Sequence, residues 1–253
     1  MSNVIAIINQ KGGVGKSTTA INLAAALGDL GKRVLVVDFD PQGNATSGFG
    51  VDKDSLERDV YDTLMNNVSM EEVTVPSPVE GVSVAPATIQ LAGAEIELVS
   101  VMARESVLRY VLEPVRSSYD YIFVDCPPSL GLLTVNALVA ADSLLVPIQC
   151  EFYALEGLSK LLESMRMVKG RLNPALDIFG VVMTMFDART TLSRQVVEEV
   201  RDFFGPKVFN TIIPRNVKLS EAPSHGLPIN RYDPRSKGAL AYAELAEEVV
   251  KHG

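Results

Sequence analysis

Residues 11–18 read KGGVGKST, and this stretch decides which fold the chain can adopt. It follows an apolar run from Val4 to Ile8 and opens a helical pattern near Ser17, which is the context that a phosphate-binding loop requires. Its glycines let successive backbone N–H groups converge on phosphate oxygens, and the following helix N-terminus adds partial positive charge. A glycine-rich turn that merely precedes a helix is the alternative, but glycines and lysines rarely fall at these offsets by chance. The stretch therefore predicts a site for a nucleoside triphosphate.

The spacing within the loop gives each polar side chain a role. Lys16 is placed to reach the β- and γ-phosphates, Ser17 to ligate Mg²⁺ through its hydroxyl, and Thr18 to hydrogen-bond near the α-phosphate. The candidate nucleotide ligands are the residues of the loop itself: Lys11, Gly12, Gly13, Val14, Gly15, Lys16, Ser17 and Thr18.

Two further apolar runs end in carboxylates. The run 34–37 leads into Asp38 and Asp40, and the run 121–124 leads into Asp125. Because the carboxyl ends of parallel strands meet at the edge of the sheet where ligands bind, we expect these three side chains to converge on the loop at 11–18. For Asp38, a role as a turn or helix-capping aspartate is an equally good alternative.

The order of apolar runs predicts an α/β fold. Strands are expected near 4–8, 34–38, 82–85, 121–125, 143–148, 178–184 and 208–213, with helical patterns between most of them. This alternation predicts a twisted, mostly parallel sheet covered by helices on both faces, because right-handed crossovers return each helix to the sheet. With 253 residues, 47% of them hydrophobic, we expect a single domain spanning residues 1–253. The stretch 76–78, Pro-Ser-Pro, is expected to be a loop.

One departure from the usual phosphate-loop pattern points to a family. The first glycine of that pattern is replaced by Gln10, and a second lysine, Lys11, follows it. A second lysine in the loop marks the deviant Walker A motif, and the chain resembles the ParA/MinD group of P-loop ATPases, more narrowly the short chromosomal ParA (Soj) type. The resemblance implies that Lys11 reaches across a dimer interface to the nucleotide of the partner. Two adjacent ammonium groups repel each other unless phosphate charges neutralise them, so pairing that depends on ATP is also physically reasonable.

The resemblance also assigns roles to the aspartates. Asp125 corresponds to the Walker B aspartate, which holds Mg²⁺ through water, and Asp40 to the residue that orients or deprotonates the attacking water. Asp38 is a further candidate metal ligand. The candidate catalytic residues are Lys11, Lys16 and Asp40.

The segment 211–224, TIIPRNVKLSEAPS, closely resembles the corresponding part of Soj-type proteins. There the loop after the strand wraps the adenine, which implies that Pro214 packs against the face of the base and Asn216 reads its edge. A strand that ends at proline, followed by a helix-capping asparagine, is the alternative.

The charge of the chain is unevenly distributed. Lys and Arg total 23 against 31 Asp and Glu, a net charge of -8, yet residues 187–237 hold nine basic and six acidic side chains, a net charge of +3 that leaves -11 for the rest. Nonspecific DNA affinity depends on local neutralisation of phosphate, although composition alone favours a solvated mixed face. The resemblance favours DNA, because Soj-type dimers bind it without sequence preference at positions that match Arg189 and Lys218. The family commonly has arginine at the latter position, and lysine lacks the bidentate fork.

Together these features predict an ATP-dependent DNA partition ATPase. ATP and Mg²⁺ would close two subunits into a sandwich dimer that binds double-stranded DNA, and a ParB-type partner would stimulate an otherwise slow hydrolysis. We expect a cytoplasmic, nucleoid-associated protein, since no signal peptide is visible and no apolar run reaches the roughly 18 residues of a membrane span.

Two rival functions use the same fold. A MinD-like membrane-associated division regulator needs a basic amphipathic helix at the C-terminus, whereas residues 238–253 carry Glu244, Glu247 and Glu248 against Lys251. A nitrogenase-iron-protein-like reductase would bridge a metal cluster with cysteines of two subunits, and Cys126 directly follows Asp125. We expect Cys126 and Cys150 to be reduced and structural.

Overall fold

The computed structural model describes residues 2–152 and 156–252, without the side chains of residues 156 and 157. Eight strands of this part of the chain form one sheet. The strands are β1 (Asn3–Ile7), β2 (Val34–Asp38), β3 (Val75–Pro76), β4 (Val82–Ala85), β5 (Tyr121–Asp125), β6 (Ser143–Gln149), β7 (Asp177–Phe186) and β8 (Val208–Pro214). Their order in the sheet is β3-β4-β2-β5-β1-β6-β7-β8. All neighbouring strands are parallel except β3 and β4.

Helices follow most of the strands. They are α1 (Lys16–Asp29), α2 (Asn44–Gly48), α3 (Val60–Met65), α4 (Met70–Val73), α5 (Leu91–Glu97), α6 (Val107–Leu112), α7 (Leu132–Ala140), α8 (Glu156–Arg171), α9 (Thr191–Phe204), α10 (Val217–Glu221), α11 (Ile229–Tyr232) and α12 (Lys237–His252). Short 3₁₀ turns occupy Lys53–Ser55, Leu98–Ser100, Glu113–Ser118, Gly205–Lys207 and Ala222–His225.

The sheet is covered on both faces. Alternate residues of β1 belong to different hydrophobic clusters, Val4 and Ala6 to one and Ile5 and Ile7 to the other, because side chains of a strand point to opposite faces. Helices α1 and α12 pack on the second face, and α5 to α9 contribute buried residues to the first. The predicted α/β architecture is confirmed.

The seven predicted strands are all present, but one segment differs from its prediction. The stretch 76–78 is expected to be a loop, and residues 77 and 78 do lie outside any strand or helix, whereas Pro76 forms with Val75 a short edge strand that pairs antiparallel with Val84 and Ser83 of β4. Proline is tolerated there because an edge strand can do without one backbone donor. Two residues are too few to produce a periodic signal in the sequence.

The parallel arrangement determines where functional side chains can gather. The loops after β1, β2, β5, β6, β7 and β8 all leave the sheet at its C-terminal edge. In open parallel sheets this edge holds the ligand, and the predicted site residues lie on these loops.

Candidate nucleotide-binding site

The glycine-rich loop joins β1 to α1. Gly13 and Gly15 have φ angles of 75° and 92°, in the left-handed region that favours glycine. Helix α1 begins at Lys16, and no side chain caps its N-terminus. The first N–H groups of a helix have no partner within it, so this end of α1 is available to an anion.

Two buried polar side chains, Asn9 and Thr184, anchor the glycine-rich loop to the neighbouring strands β6 and β7. The Asn9 amide nitrogen donates to the Pro147 carbonyl of β6 (2.8 Å), while its oxygen accepts from the backbone N–H of Lys11 (3.0 Å). The Thr184 hydroxyl of β7 donates to the Val14 carbonyl (2.8 Å). The sequence analysis missed both residues, although a polar side chain within a strongly apolar run is a signal that could have identified them.

Lys16 is a buried cation without a counter-ion. Its side chain lies in the interior, with 7% of the residue exposed, and its ammonium group makes no ion pair among the described residues. It donates one long hydrogen bond, 3.4 Å, to the Lys11 carbonyl. Burial lowers the pKa of Lys16, while Asp125, Cys126 and Asp40 oppose this shift. A lysine in this position stays charged most readily when an anion binds beside it.

Asp125 is a buried anion at the same site, in contrast to the buried cation of Lys16. Asp38 and Asp125 are register partners at the ends of β2 and β5, and both are fully buried. Burial and the charge of Asp38 raise the pKa of Asp125 well above its usual value, although the nearby Ser17 hydroxyl lowers it. Neither Asp125 oxygen accepts a hydrogen bond within the described part of the chain. An unsatisfied buried carboxylate is costly, and a hydrated cation would supply the missing donors.

Asp38 itself has hydrogen-bond partners. It accepts from the Thr46 backbone and hydroxyl, both at 2.7 Å, and from the Asp40 backbone at 3.3 Å. The Thr46 hydroxyl in turn accepts from the Ala87 backbone N–H (2.9 Å). Burial raises the pKa of Asp38 to about 6, and the Thr46 hydrogen bonds oppose that shift. Asp38 therefore fixes the start of α2, which corresponds to the turn role considered from the sequence.

Asp40 begins a loop that is tied down at several points. Its carboxylate accepts from the Gln42 backbone N–H (2.9 Å), and Lys53 donates to the carbonyl oxygens of Gln42 (2.9 Å) and Gly43 (3.2 Å). Gly43 has a φ of 62°, and a Cβ atom there would lie 2.6 Å from the Ala87 carbonyl oxygen. Asp40 is thereby held at the wall of the phosphate-loop cavity described next.

Two adjoining cavities meet at this edge. A cavity of about 420 Å³ is lined by the phosphate loop together with Asp40 and Pro128. A second, of about 460 Å³, is lined by Pro214 and Asn216 among others. Met185, which borders both, has a φ of 53°, a conformation that is strained in a residue other than glycine and that often marks functional sites.

The predicted base contacts lie in the second cavity. Pro214 ends β8, and Asn216 caps α10 by accepting from the Lys218 backbone N–H (2.8 Å). The capping role considered for Asn216 is thus present, and the residue also faces the cavity.

Comparison with known proteins identifies the family. A family model described as an AAA domain matches residues 2–178. The chain is 59% identical to the sporulation initiation inhibitor protein Soj of Bacillus subtilis (strain 168), with all of both chains covered. The chain belongs to the ParA/MinD family of deviant Walker A ATPases. It is also 53% identical to the chromosome partitioning protein ParA of Myxococcus xanthus (strain DK1622), covering 99% of this chain and 89% of that one. It is thus a partition-type ATPase of the Soj group.

Solved structures agree with this membership. A cobyrinic acid a,c-diamide synthase from Mycobacterium smegmatis, with bound ADP and magnesium, has a TM-score of 0.88 at 39% identity and covers 100% of this chain and 95% of that one. The septum site-determining protein MinD from Pyrococcus horikoshii OT3, complexed with Mg-ADP, has a TM-score of 0.81 at 26% identity and covers 99% and 97%.

The lysine that marks the ParA/MinD family is paired with a carboxylate of its own chain. Lys11 forms an ion pair with Glu151, which lines the larger cavity. Both side chains are partly exposed, so this pair can be exchanged for another partner. Glu151 had not been singled out from the sequence.

The basic residues that the family resemblance associates with DNA lie on neighbouring elements. Arg189 is in the loop after β7, and Lys218 is in α10, after β8. Arg189 is paired with Asp187 (2.7 Å) and Lys218 with Glu221 (2.8 Å). Neither carboxylate partner was anticipated from the sequence.

The cysteines of this ParA/MinD chain are in the core. Cys126 and Cys150 are free and buried, and burial raises the pKa of both thiols. Cys126 donates to the Val124 carbonyl (3.6 Å). Within the described ranges, no cluster of three or more His, Cys, Asp or Glu side chains could hold a metal ion by itself.

Proposed function

We propose that this chain is a DNA partition ATPase whose ATP-bound homodimer binds double-stranded DNA without sequence preference. One observation carries the nucleotide part of the proposal. The buried Lys16 lacks an anion, and the buried Asp125 lacks a donor or cation, at the same phosphate loop. A magnesium–nucleotide complex satisfies both groups together, because it brings phosphate to the lysine and a hydrated cation to the carboxylate.

The ligand assignments follow from this arrangement. Residues 11–18 would hold the phosphates, and Ser17 would hold Mg²⁺ directly, with Asp125 acting through water. Asp38 would act behind Asp125, since its oxygens already hold Thr46 and Asp40. Pro214 and Asn216 would contact the base from the larger cavity.

The proposed ATP hydrolysis needs a bound magnesium ion and three groups of the chain, which are Lys16, the N-terminus of α1 and Asp40. Magnesium, when bound, neutralises charge on the transferring phosphoryl group. Lys16 and the N-terminus of α1 stabilise the negative charge that develops there. Asp40 orients the attacking water and takes up its proton. Asp40 already lies at the wall of the cavity, so its positioning need not limit the rate of hydrolysis. We propose that the slow step is instead completion of the site by a second subunit and a ParB-type partner.

Lys11 is proposed to complete the site across the dimer interface. Lys11→Ala should retain ATP binding as a monomer and fail to dimerise, because the phosphate cradle remains while the contact to the nucleotide of the second subunit is lost. Light scattering with and without ATP measures this, with Lys251→Ala at an exposed helix end as the control. A normal ATP-dependent dimer of Lys11→Ala would remove Lys11 from the interface.

DNA binding is assigned to Arg189 and Lys218. Arg189→Glu and Lys218→Glu should each weaken binding to all sequences, most strongly at low salt, and each lost phosphate contact should lower the slope of log affinity against log salt by about one unit. Dimerisation with ATP should survive. Arg109→Glu makes the same charge change at an exposed position of α6 and is the control. Wild-type affinity of both test variants at every salt concentration would place the DNA surface elsewhere.

The structural role of α12 argues against the MinD-like alternative. Its apolar side, which includes Tyr242, Leu245 and Val249, is buried in the fold. Glu248 accepts from the backbone N–H groups of Asn210 (2.7 Å) and Thr211 (3.0 Å) of β8. Among the described residues, no helix is both long and apolar enough to cross a bilayer. The buried apolar side of α12 supports our proposal that DNA, and not a lipid surface, is the partner. We further propose that residues 1–253 form one ATPase domain in the cytoplasm at the nucleoid.

The decisive experiment for the proposed function compares DNA binding without nucleotide, with ADP and with ATP. Tight binding of random-sequence duplex is expected only with ATP. Sedimentation with liposomes under the same conditions serves as the counter-test. Strong ATP-dependent liposome binding in place of DNA binding would favour the MinD-like function.

A further inference from the structure

The ammonium group of Lys218 is held by its own neighbours. Its nitrogen lies 2.8 Å from a carboxylate oxygen of Glu221, one turn further along α10, and 5.7 Å from the ring centroid of Tyr232. The Tyr232 hydroxyl donates to the same Glu221 oxygen (3.1 Å), and the Tyr232 ring stacks on His225 with centroids 4.8 Å apart. Glu221 raises the pKa of Lys218, and Lys218 lowers that of Glu221. The lysine is thus both neutralised and oriented.

The second proposed DNA contact has the same arrangement. The Arg189 guanidinium donates to both oxygens of Asp187, at 2.9 and 2.7 Å, and the Arg189 backbone N–H adds a third hydrogen bond at 3.0 Å. Lys218 and Arg189 are therefore each paired with a carboxylate of the protein. That carboxylate carries one negative charge, as does a DNA phosphate group.

The exposure of the Lys218–Glu221 pair makes it exchangeable. The two side chains are 46% and 40% exposed, and ion pairs in such positions are weak and screened by salt. A DNA phosphate that approaches this lysine competes with the carboxylate for the ammonium group, and Glu221 then lies close to the phosphate as a like charge.

We propose that Glu221 is a built-in competitor of DNA phosphate for Lys218 and thereby sets the DNA affinity of this surface. DNA binds by exchange of carboxylate for phosphate, while the Tyr232 ring continues to orient the lysine. This inference rests on the proposed function, because it presupposes that the ATP-bound protein binds DNA through Lys218.

Glu221→Gln tests the exchange. The amide can still accept from the Tyr232 hydroxyl, so the local structure is preserved while the competing charge is removed. With ATP and random-sequence duplex, affinity at low salt should rise about 3- to 5-fold, the range expected for release of an exposed ion pair. The slope of log affinity against log salt should stay close to that of the wild type, because Lys218 contacts phosphate in both complexes.

The matched control is Glu80→Gln, which makes the same charge change at an exposed position in the turn between β3 and β4, at the opposite edge of the sheet. It should leave the affinity unchanged. The gain from Glu221→Gln should also disappear in a Lys218→Ala background, because the carboxylate acts through that lysine.

Two results would overturn the inference. One is wild-type DNA affinity of Glu221→Gln while Lys218→Ala is weakened. The other is a gain that persists undiminished without Lys218, which would make Glu221 a general like charge. Failure of the wild-type protein to bind DNA with ATP is a different outcome, and it would reject the proposed function itself.

Discussion

Lys16→Ala is expected to abolish ATP binding, with the Kd rising by at least about 100-fold, and dimerisation and DNA binding should be lost with it. The physical reason is that the ammonium group of Lys16 is buried and has no protein anion, so its charge remains available to the phosphates. Removing one partner of a buried charge pair costs about 3–5 kcal/mol, which corresponds to the loss in affinity. Isothermal titration calorimetry with ATP and Mg²⁺ measures the change.

The control for this measurement is Lys169→Ala, which removes a lysine from the exposed side of α8 and should bind ATP normally. Near-wild-type affinity of Lys16→Ala would contradict the role assigned to this residue. Thermal unfolding of the nucleotide-free variant checks that the fold is intact, and we expect it to be no less stable than wild type, because a desolvated cation has been removed.

Asp40→Ala should reduce ATP hydrolysis by about 100- to 10,000-fold, the usual contribution of a positioned general base. The phosphate loop and Asp125 remain, so the variant should accumulate as an ATP-bound dimer that stays on DNA. Single-turnover hydrolysis measures the first effect, and light scattering with DNA retention measures the second.

Asp54→Ala changes an exposed aspartate in the same part of the chain and serves as the control for Asp40. Loss of dimerisation together with loss of hydrolysis would instead place Asp40 in metal binding or in holding its loop. The latter is a real alternative, because the Asp40 carboxylate accepts from the Gln42 backbone N–H.

The sequence alone determined the fold class and the position of the candidate phosphate loop between β1 and α1. Both depend on short-range information: the proposed role of residues 11–18 rests on consecutive backbone groups, and the buried strands appear as continuous apolar runs. The family resemblance added roles for Asp40, Asp125, Pro214 and Asn216 and correctly identified the ParA/MinD family.

Only the tertiary structure decided which side chains hold those residues in place. Asn9 and Thr184 support the loop through strands that are distant in sequence, and Asp38 meets Asp125 only because β2 and β5 pair in that register. The contact of Tyr232 with Glu221 likewise depends on how α10 and α11 pack, whereas the Lys218–Glu221 pair is local to α10. Such contacts leave no local pattern, because strand register and helix packing are set by the whole fold and not by neighbouring residues.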